Sequence, residues 1–134
     1  MFFDSIGKLV YTGNPNSDIY DAKLIVEVDT GMAAYYRSVI RKYNRINIPK
    51  YPPHITVIRG EKIVKPAIWG KYASVMVEFW YRNTIYNDDV YWWLEVKCDN
   101  LEAIRKELGL FPTSPLTMSP DGKHKFHITL ANTK

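Results

Sequence analysis

Two tetrapeptides, His54-Ile55-Thr56-Val57 and His127-Ile128-Thr129-Leu130, end two stretches of chain with the same predicted order of elements, and this duplication is the tightest constraint on the fold. Residues two apart in a strand share a face. Each tetrapeptide therefore aims an imidazole and a hydroxyl in one direction, while Ile55 and Val57, or Ile128 and Leu130, anchor the opposite face in a core.

In the first half, Lys8 to Tyr11 reads as a short strand ending in the turn-rich run Thr12 to Ser17. Ala22, Leu24, Val26 and Val28 alternate with Lys23, Ile25, Glu27 and Asp29, which predicts a strand with one buried face. A helix follows, capped by Asp29 or Thr30, with Met32, Tyr35, Tyr36, Val39, Ile40 and Tyr43 at helical spacing. Pro49, Pro52 and Pro53 end it and lead into the first motif strand.

The second half opens with two strands, Tyr72 to Arg82 and Val90 to Lys97, joined as a hairpin through Asn83 to Asp89. A helix capped by Asp99 or Asn100 presents Leu101, Ile104 and Leu108 and stops at Gly109. The loop from Phe111 to Lys123, with Pro112, Pro115, Pro120 and Gly122, delivers the second motif strand. Val26 to His54 is 28 residues and Val96 to His127 is 31, so the halves nearly match in length. The expected architecture is a single α+β domain over residues 1–134 with two pseudo-symmetric lobes. Their antiparallel sheets would form a central cleft, with helices outside.

With three His and eight Thr among 134 residues, each position after a His has about a 6% chance of being Thr. Two of three histidines followed by Thr at the second position is then about a 1 in 100 event. Paired on one cleft, His54, Thr56, His127 and Thr129 fit around one phosphodiester. A neutral imidazole takes a proton from the attacking oxygen, a protonated one supplies the leaving oxygen, and the hydroxyls donate to the non-bridging oxygens. Which histidine is base and which acid is open at this level. No metal is expected, because no His, Asp or Glu cluster has ligand spacing.

Composition bounds the rest. A net charge of +4 and a pI near 9.1 give a mild bias toward anionic partners. Cys98, alone, allows no intrachain disulfide. Neither a secretory leader nor a bilayer-length apolar run is evident, so a cytoplasmic protein without membrane partners is expected.

The doubled His-x-Thr-apolar pattern resembles the signature of the two-histidine (2H) phosphoesterases, and the likeness extends over most of the chain. Within that group the sequence is most similar to phage enzymes that degrade the cyclic oligonucleotide signals of bacterial CBASS defence. The similarity lies in Tyr51-Pro52-Pro53-His54-Ile55-Thr56-Val57, Phe126 to Asn132, and the opening Asp4 to Leu9. The resemblance implies metal-independent cleavage of cyclic di- and trinucleotides through a 2',3'-cyclic phosphate, in a host-cell cytoplasm and without a cofactor. It also implies a substrate-holding tail after the second motif, whereas this sequence runs to Lys134. Two rivals stand beside this reading. One is an RNA-end enzyme acting on 2',3'-cyclic phosphates or 2',5' linkages; the other is a non-catalytic nucleotide- or RNA-binding module.

Flat rings stack on nucleobases. Trp80 is the preferred candidate for substrate binding, and Tyr11 and Tyr20 flank a loop that can close over a base. Arg59, just past the first motif strand, is within reach of a phosphate. His124, in Asp121-Gly122-Lys123-His124-Lys125, reads as part of a solvated turn and is left outside the site, and the Thr113 to Lys123 loop as a candidate lid.

Overall fold

The computed structural model describes residues 1–134. Six strands and two α-helices follow one another as β1 (Phe2–Thr12), β2 (Lys23–Glu27), α1 (Thr30–Arg41), β3 (His54–Ile58), β4 (Met76–Asn87), β5 (Tyr91–Lys97), α2 (Asp99–Glu107) and β6 (Phe126–Asn132). The strands close into a single antiparallel barrel in the order β1-β2-β3-β6-β5-β4. The expected bilobal α+β fold, two sheets flanking a cleft with helices outside, is therefore not found.

The reason lies in the lengths of β1 and β4. Local pattern predicts β1 only over Lys8 to Tyr11, but the strand begins at Phe2. Its first part pairs with β4 in an unbroken register from Phe2↔Arg82 to Lys8↔Met76. That ladder joins what would otherwise be two sheets. On the other side of β1, Gly7 lets β2 approach closely, since a Cβ there would lie 2.4 Å from Val26 Cγ1 and 2.5 Å from the Glu27 carbonyl oxygen.

The duplicated order of elements does appear, inside the barrel. β1, β2, α1 and β3 correspond to β4, β5, α2 and β6, and the ring order reads the same from either half. The motif strands β3 and β6 meet at one seam, and β1 and β4 at the other. Helix α1 begins where expected, with the Asp29 carboxylate accepting from the Met32 N–H at 3.1 Å. It buries Ala33 and Ile40, whereas Tyr35 and Tyr43 face solvent. Cys98, not Asp99 or Asn100, is the N-cap of α2, without a side-chain bond. Gly109 ends that helix at φ +85°. The hairpin loop is shorter than expected, because β4 continues to Asn87.

One apolar face of every strand joins the buried sides of both helices in a single core that includes Leu24, Ile55, Val57, Phe79, Leu94, Leu101, Ile128 and Leu130. No helix is long and apolar enough to cross a membrane.

Each helix is tied to the motif strand of the opposite half. Arg37 of α1 donates from Nε to the Leu130 carbonyl on β6 at 2.9 Å. Arg105 of α2, fully buried, donates from Nη1 to the Val57 carbonyl on β3 at 2.8 Å. Arg105 also forks onto both oxygens of Glu61, at 2.8 and 2.7 Å, and donates from Nε to the Phe111 carbonyl at 2.8 Å.

Removing the Arg105 guanidinium strands the Glu61 carboxylate and two carbonyls with little water to replace it. Arg105→Ala should cost about 3 to 5 kcal/mol in urea denaturation, and Arg105→Lys less, since it keeps the charge without the fork. A loss below about 1 kcal/mol for Arg105→Ala would show that the buried pair does not hold the seam.

Candidate functional site

Strands β3 and β6 run antiparallel and share one registered pair, Ile55↔Ile128. Both isoleucines are fully buried, as are Val57 and Leu130. Continuing that register one residue each way sets His54 beside Thr129 and Thr56 beside His127, all half-buried on the opposite face. Directly opposed Cβ atoms lie about 5 Å apart, and the diagonal pair, His54 and His127, about 7 to 8 Å. Each imidazole thus has the other motif's hydroxyl as its cross-strand neighbour, which is the two-fold arrangement that the duplicated sequence implied.

The four side chains line one cavity of about 430 Å³, with Arg59, Asp88, Tyr91, Leu116, Met118 and Pro120 completing it. Arg59 follows β3 immediately and makes neither an ion pair nor a side-chain hydrogen bond, so its guanidinium is free for an anion. Asp88 sits in the β4–β5 turn, where Oδ1 accepts from the Val90 and Tyr91 N–H groups at 2.8 and 2.6 Å. This fixes the start of β5 and with it Tyr91, whose ring lies under the Lys134 ammonium at 4.9 Å. Leu116, Met118 and Pro120 come from the Phe111 to Lys123 loop, which therefore covers the site. No group of three or more His, Cys, Asp or Glu side chains is placed to share a metal ion.

The two imidazoles sit in different surroundings. His54 Nδ1 is 2.8 Å from the Pro52 carbonyl. A carbonyl only accepts, so Nδ1 carries the proton and Nε2 is the free nitrogen. His127 is held down to about 4, first by burial, with the charges of His54 and His124 acting in the same direction. The Thr117 backbone and the Asp121 carboxylate oppose that shift. Its Nδ1 is buried without a partner in hydrogen-bonding geometry. His127 is accordingly neutral at pH 7.

The remaining expected site residues lie elsewhere. Tyr11 is half-buried and packs edge-on against Trp69, with ring centroids 4.9 Å apart. Tyr20 is exposed at positive φ in the β1–β2 loop. Trp80 borders a separate groove of about 500 Å³ with Phe2, Lys97 and Asn100. None of the three lines the histidine cavity. Conversely, the sequence does not single out Asp88 and Tyr91, because β4 runs past its expected end and puts the turn beside the motifs, while Leu116, Met118 and Pro120 come from the loop expected as a candidate lid. His124 is not in a solvated turn: its side chain is 11% exposed and packs on Tyr86 with ring centroids 4.5 Å apart.

Because His127 is neutral in the fold but takes a proton near pH 6.5 when unfolded, lowering pH favours the unfolded chain. The contribution is intact above pH 6.5 and falls away between 6.5 and about 4, by on the order of 3 kcal/mol. His127→Gln should remove this part of the acid sensitivity. Urea denaturation at pH 7.5 and pH 4 should show wild type losing more stability than the variant, and equal losses would contradict a buried neutral His127.

Neither family models, nor curated proteins, nor solved structures give a match to this chain.

Proposed function

We propose that this protein cleaves ribonucleotide phosphodiesters by acid–base catalysis between His54 and His127. The observation that carries the reading is the antiparallel β3–β6 register, which puts two imidazoles and two hydroxyls on one face of one cavity. That volume lies within the range of small-ligand sites. Arg59 supplies an unpaired cation, and Tyr91 an aromatic surface of the kind that stacks on bases.

His127, neutral at pH 7, is the base, and His54 is the acid: it enters the reaction as the imidazolium, with its Nδ1–H held by the Pro52 carbonyl and a second proton on Nε2 to give away. His127 takes the proton of the ribose 2'-hydroxyl as its oxygen bonds to the adjacent phosphorus. The bond from phosphorus to the 5' oxygen breaks, and His54 protonates that oxygen. The products are a 2',3'-cyclic phosphate and a 5'-hydroxyl; water can then open the ring with the two roles reversed. Thr56 and Thr129 donate to the non-bridging oxygens as negative charge grows.

The substrates proposed are ribose cyclic di- and trinucleotides of the cGAMP-like kind. Removal of such an immune signal, a phage counter to CBASS, would be the biological effect. This assignment rests on the resemblance of the two motifs and not on the fold, which departs from the bilobal expectation.

Incubation with a panel of ribose cyclic dinucleotides in EDTA, followed by chromatography, tests it. His54→Ala or His127→Ala should lower kcat by roughly 100- to 10,000-fold. The wild-type rate should persist into acid until His127 gains its proton near pH 4. Cleavage confined to linear RNA ends would transfer the assignment to an RNA-end enzyme. Binding without turnover would make the protein a nucleotide-binding module.

A further inference from the structure

The third histidine stands beside the motif without belonging to it. On β5, Glu95 is the Cα partner of His127, and Trp93 is the Cα partner of Thr129. His124 touches both. The Trp93 indole N–H donates to His124 Nδ1 at 3.4 Å, and His124 Nε2 is 3.7 Å from Glu95 Oε1. Trp93 is fully buried, and Arg82 lies on the far side of Glu95, its Nε 3.6 Å from the same oxygen. An imidazole accepting at Nδ1 carries its proton on Nε2, so this tautomer offers each neighbour what it needs.

His124 also ends the loop that covers the site. Its N–H donates to Ser119 Oγ at 3.0 Å, and its carbonyl accepts from the Ser119 N–H at 3.0 Å. Asp121 accepts from the Ser119 hydroxyl at 2.6 Å and the Lys123 N–H at 3.0 Å. Ser114, Thr117 and Ser119 are buried, so the segment is packed and not draped over the surface.

We propose that His124 is a positioning residue for His127: by bridging Trp93 and Glu95 it clamps the covering loop, so that Thr117, Leu116 and Met118 are held over the His127 ring. Without the clamp the loop lifts, water reaches the ring, and the base is no longer held neutral and aligned. Burial is the largest influence on His127 and the His124 charge acts in the same direction, so in His124→Ala both losses outweigh that of the Thr117 carbonyl and the net movement is upward. The clamp bears on the proposed reaction only through His127, and it can be read without any substrate.

The test is an NMR titration of the His127 ring in the full chain, with His124→Ala, His124→Gln and Trp93→Phe alongside wild type. In His124→Ala the His127 midpoint should rise by about one pH unit or more. His124→Gln loses the same charge but keeps an acceptor for the indole N–H, so its midpoint should rise by clearly less than that of His124→Ala. Trp93→Phe removes only that donor and should move partway, which preserves the test if His124→Ala does not fold. On a cleaved diester, kcat of His124→Ala should fall by about tenfold or more, with KM within about twofold. A His127 midpoint unmoved in His124→Ala, or moved equally in His124→Gln, overturns the clamp. A shifted midpoint in a protein that cleaves no ribonucleotide diester would uphold the clamp and remove the phosphodiesterase reading, and an unshifted midpoint in an active enzyme would do the reverse.

Discussion

Arg105 holds the motif seam together. Strands β3 and β6 share a single registered pair, too little ladder to fix the two motif strands by backbone bonding alone. Precision has to come from elsewhere, and it comes from the helices. The fork of Arg105 onto Glu61, with bonds to Val57 and Phe111, joins α2, the end of β3 and the root of the covering loop through one buried side chain. A planar guanidinium suits this task, since its donors leave in fixed directions and none can be lost by deprotonation.

Arg37 does the matching work for β6, and both arginines bond the carbonyl of the fourth residue in a motif, Leu130 or Val57. The helix of each half therefore secures the motif strand of the other. This exchange makes the barrel one cooperative unit: neither half can place its own His-Ile-Thr strand without the other half's helix. It also accounts for the closed ring. Two independent lobes would leave β3 and β6 free to shift against each other, whereas the β1–β4 ladder on the far side limits that motion.

Local chemistry was legible in the sequence and long-range pairing was not. The alternation from Ala22 to Val28, the Asp29 cap, Gly109 as a helix stop and the bounds of β3 all rest on contacts within a few residues. The four motif residues were legible for the same reason, since period-two geometry fixes which side chains share a face. What failed was set by strands far apart in the chain. Phe2 to Ser5 is a strand because β4 pairs with it, and nothing local to those residues requires it. Alternation along β5 puts Trp93 on the same face as Glu95, the face that pairs with Thr129 and His127. It is buried all the same, because His124 and Tyr86 cover it, and His124 was misjudged because its partners lie on β5.

Near-symmetric motifs cannot by themselves divide a reaction into acid and base, because equivalent imidazoles in equivalent sites would be interchangeable. The loops break the equivalence. The proline-bearing segment before β3 offers His54 a well-placed carbonyl and leaves it close to solvent, whereas the longer Phe111 to Lys123 loop lies over His127 and dries it. The loops can differ because they carry little of the barrel ladder, the Asn47–Asn132 bridge apart, while the strands must be alike to keep the seam in register. Under the proposed mechanism the direction of proton flow, from the 2'-hydroxyl to His127 and from His54 to the leaving oxygen, is thus set by the parts of the chain that differ between the halves.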